Sequence, residues 1–190
     1  MEIISAHEAD VPPALRQQVR KLQRQAWPSD KPDEGGPSHD PALQPVSMLL
    51  VSDGRVITAL DILSKDILHS GQSYSASGLS TVVTDKALQG RGYGRRLVEA
   101  AYAAIEKSGI DLGIFTCDTP LRSLYERDSW RVLPGTVLIG GTPEAPFPSD
   151  QDGFDKVTIG RFFSERAQRD QASFLGSRIA LYPGEIDKLW

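Results

Sequence analysis

Between a β-branched strand and an amphipathic helix the chain carries Gln89-Gly90-Arg91-Gly92-Tyr93-Gly94, and three glycines in five residues restrict this stretch to a tight turn with an accessible backbone. The run before it, Leu79-Ser80-Thr81-Val82-Val83-Thr84, suits a strand and shows no helical repeat. After it, Leu97, Val98, Ala101, Ala104 and Ile105 recur at helical spacing. Arg95, Arg96, Glu99, Glu106 and Lys107 fall on the opposite face, and Gly109 is placed to end the helix. A glycine turn that feeds a helix leaves the first N–H groups of that helix open, which favours a phosphate or pyrophosphate.

The common nucleotide motifs do not fit this turn. Arg95 stands where the dinucleotide fingerprint needs its third glycine, there is no P-loop run, and the later elements of a kinase are missing. Gln-x-x-Gly-x-Gly does fit, and it is similar to the acetyl-CoA pyrophosphate motif of the GNAT (Gcn5-related) N-acetyltransferases. A purely structural turn and a generic nucleotide binder remain the alternatives on the turn alone. Downstream, Ile110-Asp111-Leu112-Gly113-Ile114-Phe115-Thr116 reads as a second apolar strand, and Asp118-Thr119-Pro120 reads as a helix start. Leu121-Arg122-Ser123-Leu124-Tyr125-Glu126 and Trp130 then resemble the family's "LYE..GW" segment, whose tyrosine faces the coenzyme sulfur.

The resemblance implies an α/β (α+β) GNAT acyl-CoA N-acyltransferase fold: a mixed, mostly antiparallel sheet of about seven strands flanked by helices, with a splayed strand pair as the coenzyme cleft. It also implies acetyl-CoA as cofactor and acetyl transfer to a primary amine of a small molecule. The coenzyme would be held by Val82, Val83, Thr84, Gln89, Gly90, Arg91, Gly92, Tyr93, Gly94 and Arg95. That chemistry needs an oxyanion site, for which the backbone N–H groups around Val82 to Thr84 are candidates. It also needs an acid for the leaving thiolate, and Tyr125 is the candidate. Leu121, Leu124 and Tyr125 share a helix face, so a core aromatic is the other reading of Tyr125. No base is legible. Asp150, Asp152 and Asp187 are open to that role or, equally, are solvated loop carboxylates, and His7, His39 and His69 are scattered on segments expected at the surface.

At 190 residues one substantial core is expected, so the chain reads as a single domain over 1–190. Proline-rich loops are expected at 28–45 and 140–155, and a C-terminal extension at 164–190 closing the acceptor side. A net charge of −4 argues against broad nucleic-acid binding and mildly favours cationic small molecules. Cys117 is the only cysteine, which excludes an internal disulfide and a cysteine-based zinc cluster, and no metal is expected. It reads as a small buried residue, with a thioester-exchanging nucleophile as the alternative. With no leader or long apolar span in view, the expected location is cytoplasmic and off the membrane. A homodimer stays open.

Taken in order, Glu2 to Ala6 reads as a strand, and Pro12-Pro13 opens a helix to Ala26 with Leu15, Val19, Leu22 and Ala26 on one face. The loop from Trp27 to Pro45 offers Trp27, Asp30, Asp33, Glu34, His39 and Asp40 to a pocket, or is simply exposed. Val46 to Val51 and Arg55 to Leu63 form a hairpin about Asp53-Gly54. A second turn region is expected over Lys65 to Gln72, then a strand to Thr84, with the strand at Leu112 as its parallel neighbour. Val132-Leu133, Val137 to Ile139 and Lys156 to Phe163 read as strands, and Ser164 to Arg178 as weakly helical.

Within the family the layout is most similar to the aminoglycoside 2'-N-acetyltransferases, which use acidic side chains and a C-terminal tryptophan to hold a polycationic drug. That resemblance makes Asp150, Asp152, Asp187 and Trp190 the substrate-binding candidates. Ser80 stands where that family has an acid, Gln151 interrupts the late aspartates, and Lys188 would repel a polyamine. The rival from another class is a catalytically silent acyl-CoA-binding sensor or interaction module of the same fold.

Overall fold

The computed structural model describes residues 1–28, 36–126 and 130–182. Among the described residues, ten strands and four α-helices follow one another: β1 (Glu2–His7), α1 (Pro13–Ala26), β2 (Val46–Ser52), β3 (Arg55–His69), β4 (Gln72–Thr84), α2 (Tyr93–Lys107), β5 (Leu112–Asp118), α3 (Arg122–Glu126), β6 (Arg131–Val132), β7 (Val137–Gly141), β8 (Pro146–Pro148), β9 (Lys156–Phe162), α4 (Glu165–Phe174) and β10 (Arg178–Ala180). Seven strands form a mixed sheet in the order β1-β2-β3-β4-β5-β9-β6, and β10-β7-β8 form a smaller one. β4 and β5 run parallel, as expected of strands joined through a helix, and their ladder consists of Ala76↔Leu112 and Ser77↔Gly113. β1/β2, β2/β3, β5/β9 and β6/β9 are antiparallel. Among the described residues, no helix is long and apolar enough to cross a membrane.

The chain packs as two compact units, Met1–Leu63 with Leu79–Ala101, and Ser64–Gly78 with Tyr102–Trp190. In the first, α1 lays Leu15, Val19 and Leu22 on Leu49, Val51, Val56, Ala59 and Val83 from three strands. This is the face that its spacing predicts, although Ala26 is exposed at the frayed end. β2 turns into β3 at Asp53-Gly54, whose φ values of 51° and 74° are those of the two-residue hairpin turn expected there.

The second unit is built on the long β5/β9 ladder, Leu112↔Phe162 to Asp118↔Lys156. Trp130, fully buried, lies directly over Gly113, where an added Cβ would stand 2.5 Å from the indole. Its ring meets Phe115 and Tyr102 edge-on at 5.0 and 5.4 Å. Asp111, just before β5, is the polar keystone. Its carboxylate accepts from Ser75 N (2.9 Å), Ser164 Oγ (2.7 Å), Arg166 Nε (2.8 Å) and Arg166 Nη2. Arg166, followed by the serine donors, holds that carboxyl far below the usual carboxylate range against the opposing effect of burial.

Three local expectations are corrected. Lys65 to Gln72 is not a turn region: β3 runs to His69, and only Ser70-Gly71 turns, with φ of 49° and 78°. Ile67 and His69 are buried while Asp66 and Leu68 are exposed, a period-2 alternation that the charged pair Lys65-Asp66 disguises. Within the expected loop at 140–155, Pro146–Pro148 forms β8 against β7, at a sheet edge where proline is tolerated. Arg178–Ala180, expected at a helix end, is β10, parallel to Val137–Ile139.

Asp111→Ala is expected to destabilise the fold by about 2 kcal/mol, a figure that allows for screening at the half-exposed Arg166. Because the native pKa is depressed, this contribution is complete above about pH 4 and drains away as the pH falls below it. Denaturant titrations of both proteins from neutral to acid pH check this: the gap between them should close on acidification.

Candidate active site

The glycine turn is fixed from both sides within the first unit. Asp85 accepts from Ala87 N at 3.0 Å and from the Arg55 guanidinium, which holds its carboxyl below the usual range. Gln89 Nε2 donates to Thr84 O at 3.2 Å, so the first residue of the motif ties the turn to the end of β4. Gly90 and Gly92 adopt φ of 75° and 80° with open space where a Cβ would stand. Glycine is required there by backbone conformation and not by crowding. At Gly94 a Cβ would lie 3.1 Å from Thr84 Oγ1, so the start of α2 sits close against β4.

Arg96 N donates to Gly92 O at 3.0 Å, the first turn of α2, and the amides ahead of it are those a helix start leaves without intrahelical partners. Arg91, Arg95 and Arg96 are exposed in the same stretch, Arg95 reaching Glu99 at 2.8 Å. Open amides, a helix N-terminus and guanidinium groups on an exposed turn make a cradle for a doubly charged phosphate group. The residues present therefore fit the pyrophosphate of acetyl-CoA.

The end of β4 is shaped by contacts that sequence reading missed. Thr81 has φ of 50° inside a continuous strand, a conformation that costs a β-branched residue about 1–3 kcal/mol and persists only where its surroundings offset that cost. Its Oγ1 donates to Asp61 Oδ2 at 2.6 Å, and Asp61, buried in β3, also takes Ser47 Oγ at 2.5 Å and meets His39 Nε2 at 3.1 Å. Further along, Thr58 Oγ1 donates to Val83 O at 2.6 Å and Asp85 N donates to Ile57 O at 3.0 Å. Residues 83 and 85 thus face β3. Strand alternation turns the main-chain groups of Val82 and Thr84 to the other edge.

In the second unit Tyr125 lies on α3, 4% exposed, with its ring 5.1 Å from Phe115. Burial, and after it the neighbouring Cys117 and Asp118, raise the phenol far above its ordinary pKa, so it remains a protonated donor at any physiological pH. The buried Cys117 thiol is pushed up to about 11, again mainly by burial. This disfavours the nucleophile reading, which requires a thiolate.

The acceptor-side candidates are not gathered. Asp150 is held by Arg178 through 2.6 and 3.2 Å contacts from Nη1 and Nη2, which lower its pKa and offset its charge at the surface. Asp152 is exposed. Asp187 and Trp190, like Asp30, Asp33 and Glu34 of the first loop, lie outside the described residues. Trp27 is exposed and Asp40 caps a turn through Ala42 N at 2.8 Å. Among the described residues of that loop, the His39 side chain turns into a buried polar cluster, and both it and His69 are buried where the sequence predicts a surface position. The one sequence-level hint of that cluster was a charged residue, Asp61, in the middle of an apolar strand.

The model of the acetyltransferase (GNAT) domain matches residues 10–133. Among solved structures, an acyl-CoA N-acyltransferase from Pseudomonas aeruginosa is similar at 18% identity and a TM-score of 0.58, over 84% of this chain and 98% of that one. An aminoglycoside 6'-N-acetyltransferase complexed with coenzyme A is similar at 11% identity and 0.56, over 86% and 98%. An aminoglycoside 6'-acetyltransferase type Ii is similar at 14% and 0.57, over 87% and 99%. At such identities the likeness is one of fold. No curated protein matches the chain significantly.

Two outcomes test this geometry. Gly92→Val, forced into a left-handed conformation that costs a β-branched residue about 1–3 kcal/mol, should lower thermal stability by that order while staying folded, and should weaken acetyl-CoA binding by about tenfold or more in calorimetric titration. Cys117, with about one part in a thousand as thiolate at pH 8, should resist alkylation in the folded protein and react once denatured.

Proposed function

The chain belongs to the GNAT acetyltransferases, acetyl-CoA-dependent N-acetyltransferases, and on that premise we propose that it acetylates a primary amine of a small molecule by direct attack, with Tyr125 as general acid. The observation that carries this reading is the end of β4, where the glycine turn, the start of α2 and the outward main-chain groups of Val82 and Thr84 belong to one packed unit.

Acetyl-CoA supplies an acyl group activated as a thioester. The amides from Gly90 to Arg95, with Arg91 and Arg95, hold its pyrophosphate. The main-chain N–H groups of Val82 and Thr84 take the thioester oxygen, where negative charge develops as the amine adds. Tyr125 gives its phenolic proton to the departing sulfur. A phenol kept neutral by burial is ready for that transfer throughout the neutral range, and the sulfur accepts the proton as its bond to carbon breaks.

For the acceptor, aminoglycosides are the first class to test. The net charge of −4 suits a cationic amine, and two proteins of similar fold are named for that chemistry. Asp152, Asp187 and Trp190 are assigned to the acceptor by the family resemblance, with Asp150 engaged only if it leaves Arg178.

Release of free CoA across a panel of aminoglycosides, polyamines and amino-acid amides, run beside calorimetric titration of acetyl-CoA, tests the reading. Turnover on aminoglycosides supports the drug-modifying assignment, and turnover on other amines replaces the acceptor. Binding without turnover on any of them points to a silent acyl-CoA sensor. Tyr125→Phe should lower kcat by about 10²-fold with acetyl-CoA affinity nearly unchanged, and an unaltered kcat would remove Tyr125 from the chemistry.

A further inference from the structure

Four non-glycine residues among those described have positive φ: Gln44, Asp53, Ser70 and Thr81. Gln44 closes a 3-10 turn, and Asp53 and Ser70 each open a hairpin turn ahead of a glycine. Thr81 alone of the four sits within a strand, and it is β-branched, the side-chain type least suited to that conformation.

The Thr81 hydroxyl is bonded to a carboxylate. Asp61 lies across from Ser47 in the β2/β3 register and is nearly inaccessible. Its Oδ1 takes Ser47 Oγ, and its Oδ2 takes Thr81 Oγ1 at 2.6 Å, the short distance of a hydroxyl donating to a charged oxygen. His39 Nε2 closes on the same Oδ2 at 3.1 Å, and the main chain at Ser38 and His39 is in turn anchored on the buried Glu8 carboxylate. Ser47 on β2 and the His39 segment therefore brace the carboxylate that grips β4.

Residue 82 follows the left-handed residue, and its N–H lies in the peptide plane that the torsions at 81 orient. Beyond it, Thr58 and Ile57 fix residues 83 and 85 toward β3. Val82 is thus aimed from one side by the Asp61–Thr81 contact and from the other by Thr58.

We propose that Asp61, acting through Thr81, is a positioning residue for acetyl transfer: it holds Thr81 in the left-handed conformation and thereby aims the Val82 main-chain N–H at the thioester oxygen. The inference rests on the acetyl-transfer reading above. It adds a buried residue that acts on the chemical step through Thr81.

Thr81→Val keeps the branched shape and removes the donor, Thr81→Ser keeps the donor, and Asp61→Asn replaces the acceptor that faces three donors. Turnover on whichever amine the wild-type protein acetylates, acetyl-CoA affinity by calorimetry, and amide exchange at Val82 are measured for each. For Thr81→Val and Asp61→Asn, kcat is expected to fall by about 10²-fold with coenzyme affinity within about threefold of wild type, while Thr81→Ser recovers most of the turnover. Val82 exchange should accelerate in the first two and not in the third. A Thr81→Val protein with wild-type kcat overturns the proposal, as does Thr81→Ser losing as much as Thr81→Val. If the wild-type protein binds acetyl-CoA and acetylates nothing, the acetyl-transfer reading fails and takes the catalytic role with it. Val82 exchange still judges the clamp separately, and equal exchange in Thr81→Val overturns it.

Discussion

The carboxylate of Asp61 is the interaction on which the packing of β2, β3 and β4 in the first unit depends. Placing a charged group in the middle of β3, where Leu60, Ile62 and Leu63 are buried on either side of it, is costly unless its oxygens are fully used. They are used by three donors from three separate stretches of chain, Ser47, His39 and Thr81. The same contacts that satisfy the charge hold β4 in a conformation its own sequence disfavours. Polar satisfaction and the shape of β4 therefore go together here, and a strained residue persists in a strand where its surroundings hold it.

The second unit is stabilised differently. Its aromatic core is stacked about Trp130, which Gly113 admits by lacking a side chain, and Phe115 links that indole to Tyr125. Asp111 supplies the polar counterpart, joining residues from β4, the start of β5 and the start of α4. The dryness that raises the Tyr125 phenol is thus a by-product of core packing. The tyrosine does not need a dedicated partner to stay protonated, because burial alone penalises its charged form.

Local signals carried much of the architecture. The α1 face, the Asp53-Gly54 turn, the glycine motif and the strand–helix–strand order around it depend on residues within a few positions of each other. Periodicity and turn chemistry read such short-range patterns well. They failed where short-range cues conflicted: Lys65 and Asp66 hid the continuation of β3, and prolines hid β8. In both places strand pairing overrode propensity.

By itself, then, the sequence determined the family, the glycine turn between β4 and α2 and the helical segment that carries Tyr125, because each is a contiguous pattern whose local structure follows from residue type and spacing. Tertiary structure alone decided which side chains act together. Thr81 meets Asp61 across 20 positions and His39 meets Asp61 across 22, and Asp150 is engaged by Arg178 across 28. Contacts at that separation are set by how strands pair and loops return, and their polar partners leave no periodic trace along the chain. A carboxylate in an apolar strand announces that a partner must exist, and only folding determines which one.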